Sequence, residues 1–290
     1  MQRLPIIGYP LDEGPTESVL RAAFEATGVD IGLERWERKA HLLTDAIAEL
    51  RGDEFAGALI ASPHKEKAAA LASVLSEDAR NSGAVNVMVR DGERLRGHNT
   101  DMDGVRAGLT TILPKVQGKW PRHAVVLGAG GGARAVVSVL IGTGFQRISV
   151  FNRHLHKAEA MVSHFGRSAR HMELRARPWH DAILEAELSR APLLVNASGL
   201  GVGDEPVIGA DLLPPDLMVL DLVLNQAVTP LMREATARGG TAANGQGSFL
   251  AGSAVTYRLL TGRDAPMEVL RSALAAELGV PEERIAVVGD

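Results

Sequence analysis

The chain has no cysteine. Disulfide scaffolds, thiolate catalysis and cysteine-ligated metal sites are excluded with it. It has no basic excess either: 31 Lys and Arg stand against 35 Asp and Glu, a formal charge of −4. Such a balance gives no reason to expect a nucleic acid or an anionic membrane as partner. No apolar run approaches the roughly 20 residues of a membrane-spanning helix. The start, Met1-Gln2-Arg3-Leu4-Pro5-Ile6-Ile7-Gly8, lacks the apolar stretch of a secretory signal. No internal repeat or low-complexity segment is visible. The expectation is a cytoplasmic protein whose 290 residues suffice for two domains and a sizeable core.

What is there centres on residues 123–157. The apolar run Ala124 to Leu127 reads as a short buried strand, and Gly128, Gly130 and Ala133 follow it in a G-x-G-x-x-A pattern. Gly128 permits a tight turn, Gly130 lets the backbone approach a pyrophosphate, and Ala133 lets the next helix pack closely on the strand. A helix over Ala133 to Ile141 would turn its free N–H groups toward the phosphates. A second strand, Ile148 to Phe151, completes a βαβ unit. The pattern alone is weak, since a ligand-free turn can carry it, but the strand and helix that it requires are both present. At the end of the second strand NAD sites usually place an acidic residue. Here Asn152 and Arg153 stand there, with Lys157 one helical turn on. No carboxylate repels a 2′-phosphate and two cations are placed to grip it, which favours NADP over NAD.

The first hundred residues alternate strand and helix. Pro5 to Tyr9, Ile31 to Trp36 and Phe55 to Ile60 read as strands. Ser18 to Thr27, with Thr16 placed to cap it, and Ala40 to Leu50 read as helices. Ala84 to Val89 and Arg94 to Gly97 flank Asp91-Gly92 as a hairpin. After a helix at Met102 to Leu113 and the nucleotide unit, helix and strand alternate again. Strands are expected at Leu193 to Asn196 and Met218 to Leu222, and helices at Lys157 to Phe165, Ala182 to Glu187 and Thr229 to Arg238. Two last helices, Phe249 to Leu260 and Pro266 to Leu278, suggest a return to the first domain. The fold class is α/β.

Two further stretches look chemical. In Ser62-Pro63-His64-Lys65-Glu66, a lysine opens a helix, where the dipole disfavours a cation; a solvated surface lysine is the plain alternative. In Gly97-His98-Asn99-Thr100-Asp101, Asp101 sits where a helix N-cap would. Asn99, Asp101, Asp103 and Gly104 imitate half of a calcium loop, but Thr110 replaces the bidentate Glu, and no metal is expected.

Together these stretches resemble the shikimate dehydrogenase family. The likeness runs through Gly8-x-Pro10, Pro63-x-Lys65-Glu66, Gly83-Ala84-Val85-Asn86 and Gly97-x-Asn99-Thr100-Asp101. It continues in Gly128-Ala129-Gly130-Gly131, Asn152-Arg153, Asn196-Ala197-Ser198-x-x-Gly201, and Asp221 with Thr229-Pro230. The resemblance implies a substrate domain, residues 1–101 and 247–290, and a Rossmann-type NADP-binding domain, residues 102–246. It implies Lys65 and Asp101 as the catalytic pair. Asn86, Asp101 and Thr16 would hold the substrate, and Gly128 to Ala133 (through Ala129, Gly131 and Gly132), Asn152, Arg153, Lys157 and Ser198 the cofactor. The partner implied is a small cyclic polyol, the chain acting as monomer or homodimer in shikimate metabolism and aromatic amino acid biosynthesis.

The chain departs from the family where a substrate carboxylate would be held. Gly14 and Thr16 stand for a serine pair, Leu59 and Ala61 for Asn and Thr, Leu224 for a tyrosine, and Gly252 or Ser253 for a late glutamine. Burying a polar group without partners costs about 2–7 kcal/mol, and more for a charge. A related substrate with its carboxylate absent, moved or modified is therefore expected, unless Thr16, His64, Gln246 or Ser248 rebuild the pocket. A non-catalytic dinucleotide and metabolite sensor is the rival from another class, and a folate-type dehydrogenase a third reading. Retention of Lys65 and Asp101 argues against the sensor.

Overall fold

In a computed structural model that describes residues 1–11, 14–113 and 122–285, the chain builds two six-stranded sheets. The first comes from β1 (Gln2–Gly8), α1 (Pro15–Thr27), β2 (Ile31–Glu37), α2 (Leu43–Glu49), β3 (Gly57–Ile60), α3 (Lys65–Leu71), β4 (Val74–Leu75), α4 (Glu77–Ser82), β5 (Val87–Asp91) and β6 (Arg94–His98). Then follow α5 (Asp101–Ile112), β7 (His123–Leu127), α6 (Gly131–Gly142), β8 (Arg147–Asn152), α7 (Leu155–Phe165), β9 (Glu173–Pro178), α8 (Asp181–Leu188) and β10 (Leu193–Asn196). The last elements are β11 (Met218–Asp221), α9 (Pro230–Ala237), β12 (Thr241–Asn244), α10 (Gly245–Thr261) and α11 (Met267–Leu278). Two units result, dividing between Asp103 and Gly104 and between Phe249 and Leu250, so the chain passes from one to the other within α5 and within α10. Residues 286–290, counted above with the first domain, lie outside the described residues.

The first unit carries the order β2-β1-β3-β5-β6-β4. β1 is parallel to β2 and β3, and β5 and β6 form an antiparallel hairpin joined to β3 through β5. Ile7, Trp36, Leu43, Phe55, Ile60, Met88 and Leu95 form its buried core. Helix α1 buries Val19, Leu20, Ala23 and Phe24, one stripe at helical spacing. It begins at Pro15, whose fixed φ suits the first helical position. Gly14, not Thr16, is therefore the N-cap, and Thr16 lies inside the first turn. The helix stops at Gly28, in the left-handed region at φ 65°.

The second unit is a parallel sheet in the order β12-β11-β10-β7-β8-β9. Counted within the unit this is the 3-2-1-4-5-6 arrangement, read from the other edge, that gives a Rossmann sheet its switch point between β7 and β10. All five residues of β7 are buried, as expected of strands covered on both faces. Val125, Leu127, Phe151, Leu184, Leu194, Val219 and Leu231 belong to its core. Helix α10 starts at Gly245, four residues before the expected Phe249. Its glycines have poor helix propensity, but a Cβ at Gly245 would lie 2.6 Å from the Leu222 carbonyl oxygen, so packing and not propensity sets this start. No helix among the described residues is long and apolar enough to cross a membrane.

Candidate active site

In the first unit, β3 delivers the chain through Ser62-Pro63-His64 to Lys65, the first residue of α3. The dipole penalty on a cation there is offset by a carboxylate: Lys65 Nζ lies 2.6 Å from Asp101 Oδ2. The two side chains keep 19% and 27% of their exposure, enough for a ligand to reach them and too little for a freely solvated surface pair. Asp101 opens α5, yet its carboxylate serves the cluster. Its Oδ1 accepts from Asn86 Nδ2 at 2.9 Å. Asn86 is fixed by its backbone, whose carbonyl accepts from the Ile60 N–H and whose N–H donates to the His98 carbonyl. Its side chain is fixed as well: Nδ2 donates to Thr100 Oγ1 at 2.9 Å and Oδ1 accepts from the Thr100 N–H at 2.8 Å. Lys65, Asn86 and Asp101 thus converge, and the hydrogen bonds that fix the Asn86 side chain from behind come from Thr100.

Three other residues named for the pocket are buried. His64 is 1% exposed and its Nε2 lies 2.6 Å from the Arg38 carbonyl oxygen, so the ring ties α3 to the end of β2. Gln246 is fully buried, donating to the Leu224 carbonyl. Ser248 packs against Gly108, where a Cβ would come within 2.3 Å of its hydroxyl oxygen. His64 is committed to a backbone carbonyl, whereas Gln246 Oε1 and Ser248 Oγ are buried without a hydrogen-bond partner among the described residues. Asn99, 2% exposed, donates to Ser82 Oγ and the Ala84 carbonyl and so holds the hairpin to α4.

In the second unit, the Gly128 N–H donates to the Phe151 carbonyl at 2.7 Å, with φ at 110°. A Cβ there would sit 2.5 Å from the Ala197 carbonyl oxygen, so only glycine fits. A Cβ at Gly130 or Gly132 would meet nothing within 4 Å; this is open space over the start of α6. Gly130 caps that helix without a side-chain bond, leaving first-turn N–H groups for an anion. Ala129 is 8% exposed and Ala133 fully buried against the sheet. Asn152 donates to the His154 carbonyl at 3.0 Å, shaping the turn that presents Arg153 and Lys157, both exposed. The open glycines, uncapped helix and paired cations fit a dinucleotide with a 2′-phosphate.

Against the glycine turn, a cavity of about 330 Å³ is lined by Gly132, Asn196, Ala197, Val202, Leu222 and Leu224, among others. It sits at the carboxyl ends of β7, β10 and β11, the crevice expected for a ligand in such sheets. Its floor is rigid. Asn196 Nδ2 donates to Asp221 Oδ1 at 2.8 Å and Thr229 Oγ1 donates to Asp221 Oδ2 at 2.7 Å. Burial pushes the Asp221 carboxyl up from its ordinary value, against the bonds from Thr229, Asn196 and the Val223 N–H. The Ser198 hydroxyl donates to Asn196 Oδ1 at 2.6 Å, so its proton holds the loop. Its other contact accepts from the Leu200 N–H.

A Rossmann unit with an open phosphate turn, carried on one chain with a lysine–aspartate–asparagine cluster, defines a dinucleotide-dependent oxidoreductase. Residues 6–88 match the family model of the shikimate dehydrogenase substrate-binding domain, and residues 113–197 that of shikimate/quinate 5-dehydrogenase. The chain is 35% identical over 280 residues to the NADP⁺ shikimate dehydrogenase of Rhodopseudomonas palustris, covering 94% of this chain and 95% of the relative. Shikimate 5-dehydrogenase of Thermus thermophilus, solved with shikimate, superimposes with a TM-score of 0.78 at 31% identity, over 97% of this chain and all of that one. The ligand-free 5-ketofructose reductase of Gluconobacter gives 0.78 at 26% identity, over 95% and 98%. The chain belongs to the shikimate dehydrogenase family.

Proposed function

We propose that this NADP-dependent oxidoreductase interconverts a ketone and an alcohol on a polyhydroxylated substrate whose carboxylate is absent, moved or modified relative to shikimate. The observation that carries the chemistry is the 2.6 Å Lys65–Asp101 pair with Asn86 behind it. When bound, NADPH supplies a hydride to the carbonyl carbon. Charge then builds on the substrate oxygen, and the Lys65 ammonium stabilises it and delivers a proton. Asp101 holds Lys65 in place and accepts from a neighbouring hydroxyl, while Asn86, both of whose Nδ2 protons are engaged, has the second lone pair of its Oδ1 left to accept. In the oxidative direction, neutral Lys65 takes the alcohol proton. Gly128 to Ala133 would hold the pyrophosphate, and Arg153 with Lys157 the 2′-phosphate.

Substrate choice rests on the positions at which the chain departs from the family. Leu59 is buried at 4% exposure and Leu224 lines the cavity of the second unit. Neither side chain can hydrogen-bond a carboxylate. His64 is committed to the Arg38 carbonyl, which leaves Thr16, Gln246 and Ser248 from that set. The likeness to a ketofructose reductase supports the reading, because a keto sugar has hydroxyls and a ketone but no carboxylate.

The test is an initial-rate assay following nicotinamide absorbance. Shikimate, quinate and carboxylate-free polyols and ketoses are compared with NADP(H) and NAD(H), alongside Lys65→Ala. A carboxylate-free substrate should show the higher kcat/KM, and Lys65→Ala should lower its kcat by about 10²–10⁴-fold with NADP⁺ affinity unchanged. Rapid turnover of shikimate would return the enzyme to carboxylate recognition, and full activity in Lys65→Ala would remove that residue from the mechanism.

A further inference from the structure

The groups behind Asp101 form a hydrogen-bonded chain whose direction follows from the valence of each atom. Thr256, one helical turn beyond Gly252 on α10, donates to the Gly252 carbonyl at 2.9 Å. A hydroxyl has a single proton. At its 2.9 Å contact with Thr100 Oγ1, Thr256 must therefore accept, and Thr100 donates. The Thr100 proton being engaged, its oxygen faces Asn86 as an acceptor, and Asn86 Nδ2 lies 2.9 Å away. The Thr100 N–H meets Asn86 Oδ1 from the other side at 2.8 Å. The Asn86 amide is thereby held in one of its two orientations, with its remaining Nδ2 proton on Asp101 Oδ1. Turned over, it would set its carbonyl oxygen against a carboxylate and its amino group against an N–H. Thr100 and Thr256 are 2% and 5% exposed, so water does not compete for these protons.

Gly252 is the steric condition for the arrangement. A Cβ there would lie 2.9 Å from the Thr100 carbonyl oxygen, a backbone atom that cannot swing aside. Glycine lets α10 approach closely enough for Thr256 to reach Thr100.

We infer that Thr256 is a positioning residue of this enzyme: acting through Thr100, it orients the Asn86 amide toward Asp101 and so fixes the carboxylate that holds Lys65. The inference rests on the assignment of Lys65 and Asp101 as the proton-handling pair.

Thr256→Val keeps the side-chain volume and removes the acceptor; Thr256→Ser keeps the acceptor. With shikimate and NADP⁺, or the fastest substrate from the assay above, Thr256→Val should lower kcat about ten-fold with the KM for NADP⁺ unchanged. Thr256→Ser should stay within about two-fold of the parent, as a retained hydrogen bond requires. The side-chain amide signals of Asn86, identified in ¹H–¹⁵N spectra by their loss in Asn86→Asp, should move in Thr256→Val and stay in place in Thr256→Ser. This second reading needs no substrate. Should Thr256→Val fail to fold, Gly252→Ala pushes α10 away from Thr100 and should move the same signals. Parent-like kcat and unmoved Asn86 signals in a folded Thr256→Val overturn the inference, as does an equal loss in Thr256→Ser, which would mark packing and not the hydrogen bond. Loss of turnover in Lys65→Ala alongside unmoved Asn86 signals would leave the proposed chemistry standing and remove Thr256 from it.

Discussion

Arg153 and Lys157 bear on a choice between two dinucleotides that differ by one phosphate. Both are exposed, and Asn152 beside them is turned into its own loop by the His154 carbonyl. The residue that would accept from a ribose hydroxyl is thus not an acid, and the nearby charges are cationic. Charge-assisted bonds to a phosphate are worth about 1.5–3 kcal/mol. Arg153→Ala should therefore weaken NADPH by roughly ten-fold or more and leave NADH nearly unchanged, measured by fluorescence titration of each reduced cofactor. Equal losses on both would contradict the 2′-phosphate assignment. At this scale the sequence was legible where a residue type breaks a local rule. A lysine at a helix start or an asparagine where an acid is expected calls for a partner, and the Lys65–Asp101 pair supplies one. His64, Gln246 and Thr256 were not legible. A histidine tied to a distant carbonyl and one facing a substrate look alike in sequence, and Thr256 meets Thr100 only through the packing of α10.

Individual elements were legible in proportion to their burial. The cores of β7, β10 and β11 are unbroken apolar runs, because both faces of a parallel sheet are covered, and that of β8 is broken only by the buried Ser149. The strands β4, β9 and β12 were not foreseen. They are edge strands, and β9, Glu-Leu-Arg-Ala-Arg-Pro, is only half-buried. The phosphate turn gives the sharpest element-scale contrast. Gly128 has positive φ and no room, whereas Gly130 has an extended backbone and open space. Gly128→Ala should destabilise the second unit by about 2 kcal/mol or more through the clash with the Ala197 carbonyl. Gly130→Ala should leave the melting temperature of the unliganded protein in place and weaken NADP⁺ by filling the space that a pyrophosphate needs. Calorimetric melting and cofactor titration of the two variants separate these effects. Matching losses of stability in both would mean that the glycines serve the turn alone.

The whole molecule is two α/β units, each with its own hydrophobic cluster: Ile7, Phe55, Met88 and Leu95 in the first, Val125, Phe151, Leu194 and Val219 in the second. Lys65, Asn86 and Asp101 belong to the first unit, and the phosphate turn, Arg153 and Ser198 to the second. A cofactor that engages only the second set stabilises only the state in which that set is folded, by about 2.7 kcal/mol at a hundred-fold excess over its Kd. Hydrogen exchange should register this unevenly, since opening free energies differ between cooperative parts of one chain. With NADP⁺ alone, protection should rise across 123–133, 147–157 and 193–203 and stay unchanged across β3 and the β5–β6 hairpin. Equal gains in that hairpin would show the two units opening as one cooperative body, and the cofactor's stabilisation would then reach Asn86 and Lys65 before any substrate arrives.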